Sequence, residues 1–202
     1  MILRLFAVAL AGACVAQSVS AAIVVTNNST IWNAQVVAGG MTVETETFNA
    51  IADGFYSSPF GGSTASVTWF ASATNGFVVR GGVFSTSTPE TLSFNFRPGV
   101  RAVAGNFFGT NFDFSIAEVY FAVALSNGTT YEGYANSRED FTGFRSTTSE
   151  TISHITITVQ NATGSQDVFP SVDNLYFGVP VPAPGAIALL GAAGLIGYRR
   201  RR

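Results

Sequence analysis

This chain of 202 residues contains no lysine, a single histidine, a single cysteine and only 11% charged side chains. One histidine and one cysteine cannot supply the clustered nitrogen and sulfur ligands of a zinc or other transition-metal site. A Ser-His-Asp triad would have to use His154, and no G-x-S-x-G elbow precedes a helix. Disulfide stapling is excluded as well. A sustained apolar pattern of period 3.6 is also missing between the two ends, which argues against α/β architectures. Aromatic residues are abundant, at 13% with 18 Phe. That content is far from the signature of disorder and predicts a packed core. From Ala22 to Gly178 five arginines face twelve carboxylates, a formal charge of −7. Such a domain repels phosphate backbones, so nucleic acid is not an expected partner.

The two ends differ from the middle. Residues 1–21 carry Arg4, an apolar stretch from Leu5 to Ala16 and the small residues Val19-Ser20-Ala21. They read as a secretory signal peptide cut near Ala21 or Ala22, which implies passage through the Sec machinery. Cys14 follows "LAGA", so lipoprotein-type cleavage just before it is the alternative; cleavage at Ala21 leaves a mature chain without cysteine. At the other end, fourteen apolar residues from Gly185 to Tyr198 precede Arg199, Arg200, Arg201 and Arg202. As a helix they would extend about 21 Å, against a hydrocarbon core of about 30 Å. Spanning therefore needs residues 179–184 or snorkelling arginines. The arginines would act as a cytoplasmic stop, with everything before them outside.

The sequence Val181-Pro182-Ala183-Pro184, a short Ala/Leu/Gly/Ile segment and a terminal arginine cluster together resemble the PEP-CTERM sorting signal of Gram-negative exported proteins. Ala183 stands where that family most often has Glu. The resemblance implies recognition by an exosortase, a membrane-embedded transpeptidase-like enzyme that cuts near the Pro motif. It also implies a precursor anchored in the inner membrane, then a cell-surface or extracellular-matrix location associated with exopolysaccharide. The order "LSFNFRPGVRAVAGNFFG", SNGTTY, "FTGFRS", "ISHITITV", "VDNLYFG" resembles the β-sandwich body of many such proteins.

Residues 22–178 show period two. In "EVYFAVALSNGTTYEGY", Val119, Phe121, Val123 and Leu125 share one face, and Tyr120, Ala122 and Ala124 share the other. Asn127-Gly128 predicts a hairpin with a type I′ turn. "IWNAQVVA", "MTVETETF", "ASVTWFA", "GFVVRG", "TLSFNF", "VAGNFF", "DFSIAEV", "ISHITITV" and "VDNLYFG" are further expected strands. The fold class is therefore an antiparallel β-sandwich or jelly roll in one domain, 22–178, followed by a sorting segment, 179–202. Gly105 and Gly143, beside aromatics, fit bulges or close strand approaches. "GVPVPAP" is expected to be an extended linker.

Three functions follow for this body. The first is a non-enzymatic structural or adhesive component. The second is a carbohydrate-binding module that stacks sugar rings on aromatics. Trp32, Trp69, Tyr56, Tyr131 and Tyr134 are candidates, and "DGFYSSPFGGS", a loop carrying Phe55, Tyr56 and Phe60, is the expected ligand surface. The third is a hydrolase built on paired carboxylates; the reading favours no enzyme. Glu44 and Glu46, i and i+2 on one strand face, with Asp173 near the end of the domain, form a candidate oxygen set for structural Ca²⁺. The alternative is a solvated acidic edge that discourages strand addition.

Overall fold

The computed structural model describes residues 23–161 and 167–181. The signal-peptide reading and the segment holding Pro182, Ala183, Pro184 and Arg199–Arg202 lie outside the described residues. The elements in chain order begin with β1 (Ile23–Thr26), α1 (Ser29–Ala38), β2 (Met41–Glu46), β3 (Gly54–Tyr56), β4 (Phe60–Ser63), β5 (Thr68–Ser72), β6 (Phe77–Arg80) and β7 (Val83–Thr86). They continue with β8 (Leu92–Val100), β9 (Ala102–Thr110), β10 (Ile116–Ala117), β11 (Val119–Leu125), β12 (Thr130–Ala135), β13 (Phe141–Ser146), β14 (Ile152–Asn161) and β15 (Phe169–Pro180).

Two antiparallel sheets result. One has nine strands along the path β1-β13-β9-β15-β7-β6-β3, with β10 added to β9 and β2 to β15. The other has six, in the order β12-β11-β14-β8-β5-β4. They pack face to face as a sandwich. Phe84, Val103, Phe107 and Phe177 of the first sheet meet Phe94, Phe96, Val123 and Ile155 of the second in one apolar cluster. Ring pairs such as Phe96–Phe177, with centroids 5.3 Å apart, cross the interface. Here the alternation does what the sequence predicts: Val119, Phe121, Val123 and Leu125 are buried and Tyr120 is exposed. His154, Ile155 and Ile157 follow the same rule, with the histidine exposed and both isoleucines buried.

Strand β9 is buried along its whole length. Val103 and Phe107 face the sandwich core, while Ala102 and Ala104 join Trp32, Val36 and Met41 in a separate cluster on the outer surface of the nine-stranded sheet. Small residues there let α1 lie close. A Cβ at Gly143, on the neighbouring strand, would run into the Trp32 ring. Gly105 sits opposite Leu175, where the β15–β9 register shifts after Val172. Both glycines therefore occupy the close approach and the irregularity expected for them.

Several expectations change. "IWNAQVVA" is a helix, not a strand: the Asn28 side chain caps it by accepting from the Ile31 N–H at 3.0 Å, and Gly39 and Gly40 end it, Gly40 at φ 72°. The Asn127-Gly128 hairpin has a three-residue loop, in which the Gly128 N–H donates to Leu125 O at 2.9 Å and Gly128 alone takes positive φ. Leu125 and Thr129 close it by a 2.8 Å bond, which is the bulged alternative to a type I′ turn. "DGFYSSPFGGS" is not one loop; it forms β3 in the first sheet and β4 in the second. "DFSIAEV" provides only the two-residue β10 before β11 begins. The linker reading starts too early, because β15 pairs with β2 through Pro180 opposite Met41. Among the described residues no helix is long and apolar enough to cross a membrane.

Candidate glycan-binding face

Of the aromatics in and around the expected ligand loop, Tyr56, Phe60 and Trp69 are turned inward, whereas Phe55 is 65% exposed. Trp69 is fully buried, and its Nε1–H donates to Glu46 Oε2 at 3.0 Å. Phe60 packs between Tyr56 and Trp69, with centroids 4.6 Å and 6.0 Å away. The Tyr56 hydroxyl donates to Ala52 O at 2.7 Å. These three residues form the rim of the core rather than a platform. Trp32 is also buried, under α1, and Tyr131 packs edge-on to Phe144.

The proposed calcium ligands are already engaged. Glu46 accepts from Phe48 N–H and Trp69 Nε1–H. Asp173, re-aimed by the bulge in β15, receives a two-pronged bond from Arg138, Nε to Oδ2 at 2.9 Å and Nη2 to Oδ1 at 3.0 Å. Glu44 accepts from Ser66 N–H at 2.9 Å and from the Thr64 hydroxyl. Burial raises the pKa of Glu44, but these hydrogen bonds outweigh it and hold the carboxyl below its ordinary value. A guanidinium on Asp173 does not fit a cation site. Among the described residues, no group of three or more His, Cys, Asp or Glu side chains is placed to hold a metal ion.

What the structure does bring together lies on the outer face of the six-stranded sheet. Tyr120 on β11 stands directly opposite Tyr134 on β12 and Gln160 on β14. The next row places Ala122 between Glu132 and Thr158, and the row beyond it runs Thr130, Ala124, Thr156, Ser93, Ser72 across five strands. Alternation puts all these side chains on one surface. Tyr120 is 51% and Tyr134 46% exposed, and their rings lie 5.5 Å apart at 59°. They border a depression of about 510 Å³ that also holds Glu132, Thr158 and Gln160. Its floor is kept low by Ala122, whose methyl group leaves room between longer neighbours. Three strands beyond β11 and several rows along the same face, exposed Phe70 carries the Arg97 guanidinium 5.7 Å from its ring centroid.

This surface combines apolar ring faces with hydroxyl, amide and carboxylate groups, the pairing that recognises sugars. Its electrostatics are acidic at the tyrosine end. Desolvation, then the hydrogen bond and charge of Glu118, push the Tyr134 phenol above its ordinary value, so it remains a neutral donor. Tyr134 is among the aromatics named from sequence. Tyr120 was legible only as the wet face of its strand, and Gln160 and Thr158 gave no separate signal.

No family model and no curated protein matches the chain. Among solved structures it is similar to two variants of a family 29 carbohydrate-binding module made to probe ligand recognition. One is 11% identical, covering 80% of this chain and 99% of that chain at a TM-score of 0.37. The other is 14% identical, covering 69% and 94% at a TM-score of 0.34. At these scores the likeness adds nothing to the site, which rests on its own geometry.

Proposed function

We propose that this chain is an exported, non-catalytic surface or matrix protein whose sandwich binds polysaccharide through the Tyr120–Tyr134 face. The observation that carries this reading is the pair of half-exposed tyrosines on adjacent strands, beside a depression lined by Glu132, Thr158 and Gln160. Exposed rings already held on adjacent strands are ready to bury area on a sugar ring without rearrangement. Glu132 lines the depression and Glu118 is engaged with the Tyr134 hydroxyl, whereas acid/base glycoside hydrolysis needs two carboxyls facing the sugar bond. Glu118 and Glu132 flank the tyrosines, and the domain charge is −7. A polyuronate would be repelled, so the ligand class is an uncharged or amino-bearing glycan.

In this reading the N-terminal segment is a Sec signal, the closing segment a membrane-spanning sorting signal cut by an exosortase, and the attachment to exopolysaccharide adhesive. The test has two arms. Affinity electrophoresis through neutral, amino and uronate polysaccharides should retard the wild type in the first two. Tyr120→Ala and Tyr134→Ala should each weaken binding by about ten-fold, or about 1.4 kcal/mol. Equal mobility of wild type and double variant, or preference for the polyuronate, rejects the site. Intact-mass measurement on protein from its native envelope should give a chain starting near Ala22 and ending near Pro184. A mass that retains Arg199–Arg202 rejects the processing.

A further inference from the structure

We infer that the outer surface of α1 is a bilayer-apposed face, so that the sandwich sits with its nine-stranded sheet toward the membrane and its tyrosine face away from it. Helix α1 has apolar residues on both sides and no charge on either, its outer side mixing Ile31 and Val37 with exposed Ser29, Thr30 and Asn33. Trp32 and Val36 are buried against the sheet, while Ile31 and Val37 are 52% and 59% exposed to solvent. Amphipathic surface helices normally place charge on that outer side. Here residues 23–43 contain no charged side chain, in a domain that otherwise carries twelve carboxylates. The groove of about 640 Å³ beside the helix, bordered by Val37, Met41, Phe141 and Tyr176, has no charged lining either.

The point where the chain leaves the described residues identifies the occupant. The Val181 N–H donates to Gly40 O at 3.1 Å, next to the C-terminal end of α1, and Val181 itself is half exposed. The uncharged run from Gly185 to Tyr198 begins four residues later, within roughly 14 Å of Val181 by chain length. Residues 174–198 carry no charge at all. A bilayer entered by that run must therefore approach the molecule beside α1. The two sheets stack, and α1 covers the outer surface of one of them. The Tyr120–Tyr134 face consequently points to the opposite side, where an external glycan is accessible.

The inference goes beyond the glycan reading, although it shares with it the membrane-entering tail. The test uses the full chain in a Cys14→Ser background, reconstituted in phosphatidylcholine vesicles with a lipid-borne quencher. An environment-sensitive fluorophore is placed in turn at Val37→Cys, Thr158→Cys and Leu190→Cys. The expected result is a blue-shifted, strongly quenched label at positions 37 and 190 and an unquenched one at 158. A quenched Leu190→Cys with Val37→Cys as wet as Thr158→Cys overturns the bilayer-apposed face and leaves the anchored tail standing. No quenching at either 37 or 190 removes both. Crosslinking of Val37→Cys chains to one another, in place of lipid quenching, assigns the face to a second copy and also overturns the proposal.

Discussion

The two outer surfaces of the sandwich follow the same alternation but end in opposite states. On β11, β12 and β14 the outward positions are Tyr120, Ala122, Glu132, Tyr134, Thr158 and Gln160, and the sheet stays open. On β2, β9, β13 and β15 the outer surface carries Met41, Val43, Ala102, Ala104, Phe141 and Tyr176, and α1 closes over it. An antiparallel sheet can leave one face wet when that face is polar. The apolar set on the other side needs a cover, and the small residues of β9 set how closely the cover can lie. Burial at the covered face supports folding, whereas exposure at the open one leaves its groups free for a ligand.

The largest test of this contrast is Trp32→Ala. It removes the ring that fills the space between α1, Phe141 and Tyr176, and should cost about 3–5 kcal/mol in denaturant unfolding. Next comes Glu90, which belongs to neither face. Its carboxylate accepts from Thr74 N–H at 2.6 Å, Asn75 N–H at 2.9 Å and the Thr88 hydroxyl at 2.6 Å. It thereby ties together two loops that each cross between the sheets. Burial acts to raise its pKa, but the hydrogen bonds dominate and lower it from 4.5 to about 2. A depressed carboxyl contributes fully above its unfolded value and loses the contribution as pH falls toward the folded one. Glu90→Gln should therefore destabilise by about 1 kcal/mol at neutral pH, discounted for partial exposure, with the difference from wild type shrinking between pH 4.5 and 2 in pH-dependent melts. Smaller still, Tyr120→Ala should change stability by no more than about 0.5 kcal/mol; a loss as large as that of Trp32→Ala would make the open face structural. Excess chelator should leave the melting temperature unchanged, since Arg138 already neutralises Asp173.

The strands were legible where one face is wet and the other dry. Val119 to Leu125 and His154 to Val159 state their parity in the sequence, and the structure follows it, with a register shift between Ile152 and His154. Helix α1 was not legible from periodicity, because Ile31 and Val37 place apolar residues on its outer side and erase the 3.6 pattern. Its punctuation was present nonetheless, in Asn28 before it and Gly39-Gly40 after it. The candidate site was only partly visible for a related reason. Alternation in "TWFAS" says that Trp69 and Phe70 point opposite ways, but not which side is the core; Trp69 is buried and Phe70 exposed. Registering Tyr120 against both Tyr134 and Gln160 needs the pairing of three strands, and Gln160 lies forty residues away from Tyr120. The Asp173–Arg138 fork depends on a bulge that leaves no composition signal.

Because Pro180 and Val181 close the long interior strand β15, which is laddered to β9 along one side and to β2 and β7 along the other, any pull transmitted through the closing segment would load those ladders in shear rather than unzip them from an edge. A domain pulled from that end would resist with many hydrogen bonds in parallel, and would give way only when its middle slides.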